Sequence, residues 1–118
     1  MRKLATTTAL CLAITGTVEA AQASDSRTLY QQAQRAVCYY FKNNCTTAMR
    51  IVKCETGGSY TPWSSNGQYQ GIFQMGSQER ATYGDGNNVW AQAKAAFAYF
   101  RVAGFGPWLN YEPPGCGS

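Results

Sequence analysis

The acid/base groups to weigh first are six carboxylates, because the 118 residues include no histidine. Without an imidazole, Ser-His-Asp and Cys-His nucleophilic machinery and the common zinc sites are excluded. Glu19 lies in an N-terminal segment read below as a leader, and Asp25, Glu79, Asp85 and Glu112 fall in a polar stretch, in turns or in a tail. Glu55 differs. It follows Ile51 by one helical turn and precedes Gly57-Gly58, so it closes an otherwise core-facing helix beside a loop rich in aromatic and amide residues. Burial at such a boundary disfavours the ionised carboxyl, and the C-terminal end of a helix dipole acts in the same direction. These are the conditions that make a glutamate a general acid.

The residue types downstream suit a sugar polymer. Trp63, Tyr60, Tyr69 and Trp108 offer flat apolar faces to pyranose rings, and Asn66, Gln68, Gln70 and Gln74 can pair with hydroxyl and acetamido groups. The plainer alternative is a small extracellular domain in which the same residues pack or decorate loops.

Positioning these groups requires a frame, and the apolar spacing supplies it. Leu29, Ala33, Ala36, Val37, Tyr40 and Phe41 recur at threes and fours, which predicts a helix over 29–41 that Lys42-Asn43-Asn44 ends in a tight polar link. Thr46 or Thr47 is expected to cap a second helix carrying Ala48, Ile51, Val52 and Glu55 on one face until Gly57-Gly58 stops it. From Ser59 to Gly76 the composition predicts loop and turn around Asn66-Gly67, with a minimal hairpin whose second arm is Tyr69 to Gln74. One or two helical turns are expected over 77–82. Asn87 or Asn88 then caps a third, alanine-rich helix reaching Val102, and a Pro-rich tail from Gly104 wraps over the surface. The expected fold class is α+β and mostly helical, with three main helices, a loop or small hairpin beside a cleft, and two disulfides.

Arg2 and Lys3, the apolar run Leu4 to Ile14 and Ala21-Gln22-Ala23 read as a signal peptide cleaved after Ala23. The run is too short and too interrupted by Thr6 to Thr8 for a membrane span of about 20 residues. The mature chain is then one domain, 24–118, expected to be secreted and wall-associated, with no stable membrane insertion. Cys11 leaves with the leader, and Cys38, Cys45, Cys54 and Cys116 form an even set in an oxidising compartment. Three connectivities are open, although a bridge from Cys38 to Cys45 across the helical hairpin is geometrically easy. No Cys-x-x-Cys pair supports a redox role, and the spacings do not suit a four-thiolate metal site. Nothing in the chain asks for a metal or cofactor. Loss of Arg2, Lys3 and Glu19 takes the charge from +4 to +3, mild enough to favour encounter with an anionic cell-wall polymer. There is no Arg/Lys cluster of nucleic-acid-binding density, and nothing fixes an oligomeric state.

Cys54-Glu55-Thr56-Gly57-Gly58 followed by Asn66-Gly67-Gln68-Tyr69-Gln70-Gly71-Ile72-Phe73-Gln74-Met75 resembles the active-site signature of lysozyme-like, transglycosylase-like domains that cleave bacterial cell-wall glycan. Within that group it is most similar to the resuscitation-promoting factors and related small secreted proteins of actinobacteria. The similarity runs from about Cys38 to Cys116. It implies a lysozyme-like fold, Glu55 as catalytic acid, and Tyr69, Gly71 and Gln74 along the glycan cleft. It also implies a Cys54–Cys116 bridge, leaving Cys38 for Cys45, and a core or cleft-edge role for Trp108. One departure is the longer tail from Tyr111 to Gly115 before the last cysteine.

The implied partner is the peptidoglycan glycan strand, cut between N-acetylmuramic acid and N-acetylglucosamine, with Glu55 protonating the leaving oxygen and Asn66, Trp63, Tyr69, Gln74 and Trp108 binding substrate. A hydrolase ordinarily needs a second carboxylate at about 5–5.5 or 6.5–9.5 Å, for which Glu79 and Asp85 are the candidates. A lytic transglycosylase does not, because the muramic C6 hydroxyl attacks internally, and one convincing carboxylate favours it. A hydrolytic muramidase is the nearer alternative, and a non-catalytic wall-binding module is the alternative of a different class. A small disulfide-rich inhibitor or toxin fits poorly with the long third helix.

Overall fold

Helix α1, Leu29–Phe41, starts where Thr28 and Gln31 form a reciprocal cap. Thr28 Oγ1 accepts from the Gln31 N–H at 3.1 Å, and Gln31 Oε1 accepts from the Thr28 N–H at 3.0 Å. The computed structural model describes residues 27–110, so the expected leader 1–23 and Cys116 lie outside the described residues.

Lys42–Asn44 follow as a 3-10 turn, and α2 runs Cys45–Glu55. A straight helix would separate residues 38 and 45 by about 10.5 Å. Their Cα atoms are 4.8 Å apart and the side chains form a disulfide, so the run turns a sharp corner there. Lys42 takes φ +50° at the corner, its amide donates to the Cys38 carbonyl, and its Nζ donates to the Tyr39 carbonyl at 2.9 Å. Gly57 and Gly58 end α2 with φ +62° and +84°, and the Gly58 N–H closes back on the Lys53 carbonyl at 2.8 Å.

A loop leads to the antiparallel strands β1 (Tyr69–Gln70) and β2 (Met75–Gly76), in register Tyr69 to Gly76 and Gln70 to Met75. Helix α3 is Ser77–Tyr83 and α4 is Val89–Ala103, the latter capped by Asn88 Oδ1 accepting from the Ala91 N–H at 2.9 Å. Helix α5, Gly106–Leu109, opens with Pro107 in its first turn, where a missing N–H costs nothing.

Helices α1 and α4 pack against each other, and α3 packs on α4. Ala33, Ala36, Ala93 and Ala96 are fully buried, and such small side chains allow close helix approach. Phe41 occupies the centre, with ring centroids 5.3–6.0 Å from those of Phe73, Phe97, Phe100 and Phe105.

Several expectations need correction. The chain is mostly helical, but its described residues do not form three main helices. Helical residues run unbroken from Leu29 to Glu55, and with α3, α4 and α5 this makes four helical segments. The polar link expected to end the first helix instead continues as 3-10 hydrogen bonding, so α2 begins at Cys45 without a side-chain cap from Thr46 or Thr47. Among the described residues there is one disulfide, Cys38–Cys45. Tyr69–Gln70 is the second arm of a tight turn around Asn66-Gly67, bridged to Ser65, but that arm stops at Gln70: the Gly71–Gln74 turn, closed by the Gln74 N–H on the Gly71 carbonyl at 3.1 Å, reverses the chain and pairs the same strand with Met75–Gly76. No helix among the described residues is long and apolar enough to cross a membrane.

Candidate active site

Glu55 is the last residue of α2, half-buried, and lines a cleft of about 760 Å³. The facing wall is the hairpin. Asn66, Tyr69, Gln74, Met75 and Gly76 reach the cleft from the loop and strands, Glu79 from α3, Tyr99 and Ala103 from α4, and Pro107 and Trp108 from α5. The chain thus brings four of the five expected substrate-binding residues, Asn66, Tyr69, Gln74 and Trp108, to one cleft with Glu55. Trp63 is not among them: it lies 70% exposed in the loop before the hairpin and lines different grooves.

Each of the four is held differently. Asn66 Oδ1 accepts from the Gln68 N–H at 3.3 Å and the Tyr69 N–H at 2.9 Å, an Asx turn that sets the first strand and leaves the Asn66 amide nitrogen for a ligand. Tyr69 is 40% exposed, presenting its ring at the rim. Gln74 Nε2 donates to the Ser64 carbonyl at 3.0 Å and the Gly71 carbonyl at 2.9 Å, so both amide hydrogens hold the loop and only Oε1 remains to meet a ligand. Trp108 is buried, donates from Nε1 to the Phe73 carbonyl at 2.9 Å, and packs edge-on against Phe73 and Tyr99. It is a structural wall of the cleft, not a stacking platform.

The two further carboxylates separate cleanly. Glu79 shares the cleft with Glu55. A Cβ at residue 76 would come within 2.6 Å of Glu79 Oε1 and 3.3 Å of the Tyr69 ring, so the glycine there is what lets carboxylate and phenol close over β2. Asp85 lies elsewhere, ion-paired to Arg80 Nε at 3.1 Å beside a different groove.

Sequence reasoning passed over two residues that hold this architecture together. Gln92, on α4, accepts at Oε1 from the Ile72 N–H at 2.9 Å and donates from Nε2 to the Pro62 and Gly86 carbonyls at 2.8 and 3.1 Å. A Cβ at Gly71, which has φ +88°, would stand 2.7 Å from the Gln92 side chain. Arg80 reaches from α3 to the Met75 carbonyl, to the Gln68 carbonyl at 3.2 Å and to Asp85. The only signals in the sequence are a lone amide within an alanine-rich helix and an arginine five residues before an aspartate. Among the described residues no group of three or more His, Cys, Asp or Glu could hold a metal ion.

No protein-family model, curated protein or solved structure matches the chain.

Proposed function

We propose that the chain cleaves the β-1,4 bond between N-acetylmuramic acid and N-acetylglucosamine in peptidoglycan as a lytic transglycosylase, exported to the wall, with Glu55 as acid and then base. The observation that carries this reading is the convergence of Glu55, from the Cys54-Glu55-Thr56-Gly57-Gly58 motif, with Asn66, Tyr69 and Gln74, from the second motif, on one cleft. Glu55 gives its proton to the leaving oxygen. The muramic C6 hydroxyl attacks the anomeric carbon, its proton passes to Glu55, and the product carries a 1,6-anhydro ring. Asn66 and Gln74 offer an amide donor and an amide acceptor to the N-acetyl and hydroxyl groups, and Tyr69 offers a flat edge to a pyranose ring.

A hydrolytic muramidase is the second reading, and the placement of Glu79 in the same cleft favours it. There a water attacks, with Glu79 as the second carboxylate. Asp85, held by Arg80, has no part in either reading.

Mass spectrometry of soluble products from peptidoglycan treated with the oxidised protein separates the two. Anhydromuramic products lost in Glu55→Gln and retained in Glu79→Gln support the transglycosylase. Reducing muramic ends lost in both variants support the hydrolase. Turnover at the native rate by Glu55→Gln overturns both.

A further inference from the structure

The hairpin has two sides, and only one faces Glu55. Successive residues of a strand point to opposite faces. Tyr69 lines the Glu55 cleft, whereas Gln70 lines a separate groove of about 460 Å³ with Trp63, Asn87 and Gln92. That groove shares Pro62, Trp63 and Asn87 with a neighbouring one of about 570 Å³, which is further lined by Arg27, Arg35 and Trp90. Neither groove shares a lining residue with the Glu55 cleft.

The chemistry of this second face is specific. Trp63 and Trp90 are 70% and 41% exposed, and they are the two exposed indoles of a chain with three tryptophans. A single exposed tryptophan calls for no explanation, but two on one groove provide a pair of flat apolar walls. The groove they share carries two guanidinium side chains, Arg27 and Arg35, and no carboxylate among its described lining residues. The one salt bridge between described residues, Arg80–Asp85, does not involve Arg35. Planar guanidinium groups match carboxylates in a two-bonded fork, and aromatic walls with flanking amides match pyranose rings.

We infer that the Trp63–Trp90 groove is a second binding site, on the opposite side of the hairpin from Glu55, for a sugar chain bearing carboxylates. Rings stack on Trp63 and Trp90, and a carboxylate pairs with Arg35. The site stands on its own lining residues and does not depend on turnover at Glu55.

The three indole N–H signals in a nitrogen-15 NMR spectrum, assigned with Trp63→Phe and Trp90→Phe, provide the test. The full oxidised chain carrying Glu55→Gln is titrated with three probes: a peptide-free tetrasaccharide of alternating N-acetylglucosamine and N-acetylmuramic acid, a tetragalacturonate, and neutral chitotetraose. Saturable shifts of the Trp63 and Trp90 signals are expected with at least one acidic probe, about tenfold tighter than with chitotetraose. Arg35→Gln, a change at an exposed side chain, should remove that preference. The tighter acidic probe tells a wall-glycan source from a uronic acid source. Shifts confined to the Trp108 signal, equal affinity for acidic and neutral probes, or no shift with any probe would overturn the second site. None of these results bears on Glu55, whose role is read from reaction products.

Discussion

The helical frame and the loop-and-hairpin half of this chain are stabilised by different means. In the frame, α1 packs on both α2 and α4, and fully buried apolar side chains gather around Phe41, so most contacts there are one of many. Between Thr56 and Gly86 much of the backbone is tied by a few polar side chains: Thr56, Asn66, Gln74, Arg80 and Gln92 each bond two or more main-chain groups. The cleft that contains Glu55 lies along the seam between these halves. The cleft wall is shaped by hydrogen bonds of fixed geometry, and the frame behind it is held by burial, which is tolerant of detail.

The core should give the largest effect. Phe41→Ala removes the ring on which four other aromatic rings converge and should cost about 3–5 kcal/mol, read as a lower urea midpoint with amide exchange accelerated throughout the chain. Gln92→Ala should cost less, about 2–3 kcal/mol, because it orphans the Ile72 N–H and releases two carbonyls. Its signature is local: Ile72 exchange rises while amides in α1 keep their protection. Gln92→Glu retains an acceptor for Ile72 but sets an acceptor-only carboxylate oxygen against the Pro62 and Gly86 carbonyls, so it should cost at least as much as Gln92→Ala.

The smallest effect lies where the two halves touch. Burial, and secondarily the neighbouring Tyr30 phenol, raises the Tyr60 hydroxyl above its ordinary value of 10.0. The folded state then holds this proton more tightly than the unfolded state does. Tyr60's contribution is therefore intact below pH 10.0 and is lost as pH climbs through its higher folded value. Tyr60→Phe should flatten that decline, measurable as a shallower fall of melting temperature with alkaline pH.

The same division decides what the sequence could disclose. The bounds of α1 follow from the apolar stripe Leu29, Ala33, Ala36, Val37 and Phe41, and the start of α4 from Asn88 preceding an apolar repeat. The Pro-rich tail expected to wrap over the surface from Gly104 opens instead with α5, because proline in the first turn of a helix is favourable. The turn at Asn66-Gly67 and the arm starting at Tyr69 were legible, but the second reversal at Gly71–Gln74 was not, since two-residue strands carry too little alternation to mark where an arm stops. Glu55, Asn66, Tyr69 and Gln74, named from residue type and from the resemblance of the two motifs, line one cleft, whereas Trp63, named by residue type, lines other grooves. Gln92 was invisible because its role depends on three carbonyl and amide groups from distant turns.

The indole of Trp108 is both a wall of the Glu55 cleft and a brace from α5 to the Phe73 carbonyl. For an evolving lineage such double duty is a constraint: a change that reshaped the cleft at this position would also loosen the interior, so drift is penalised twice. Tyr69 carries no comparable burden, being exposed at the rim. A change in the shape of the cleft is therefore most accessible by substitution at the rim, with the Trp108 wall inherited unchanged.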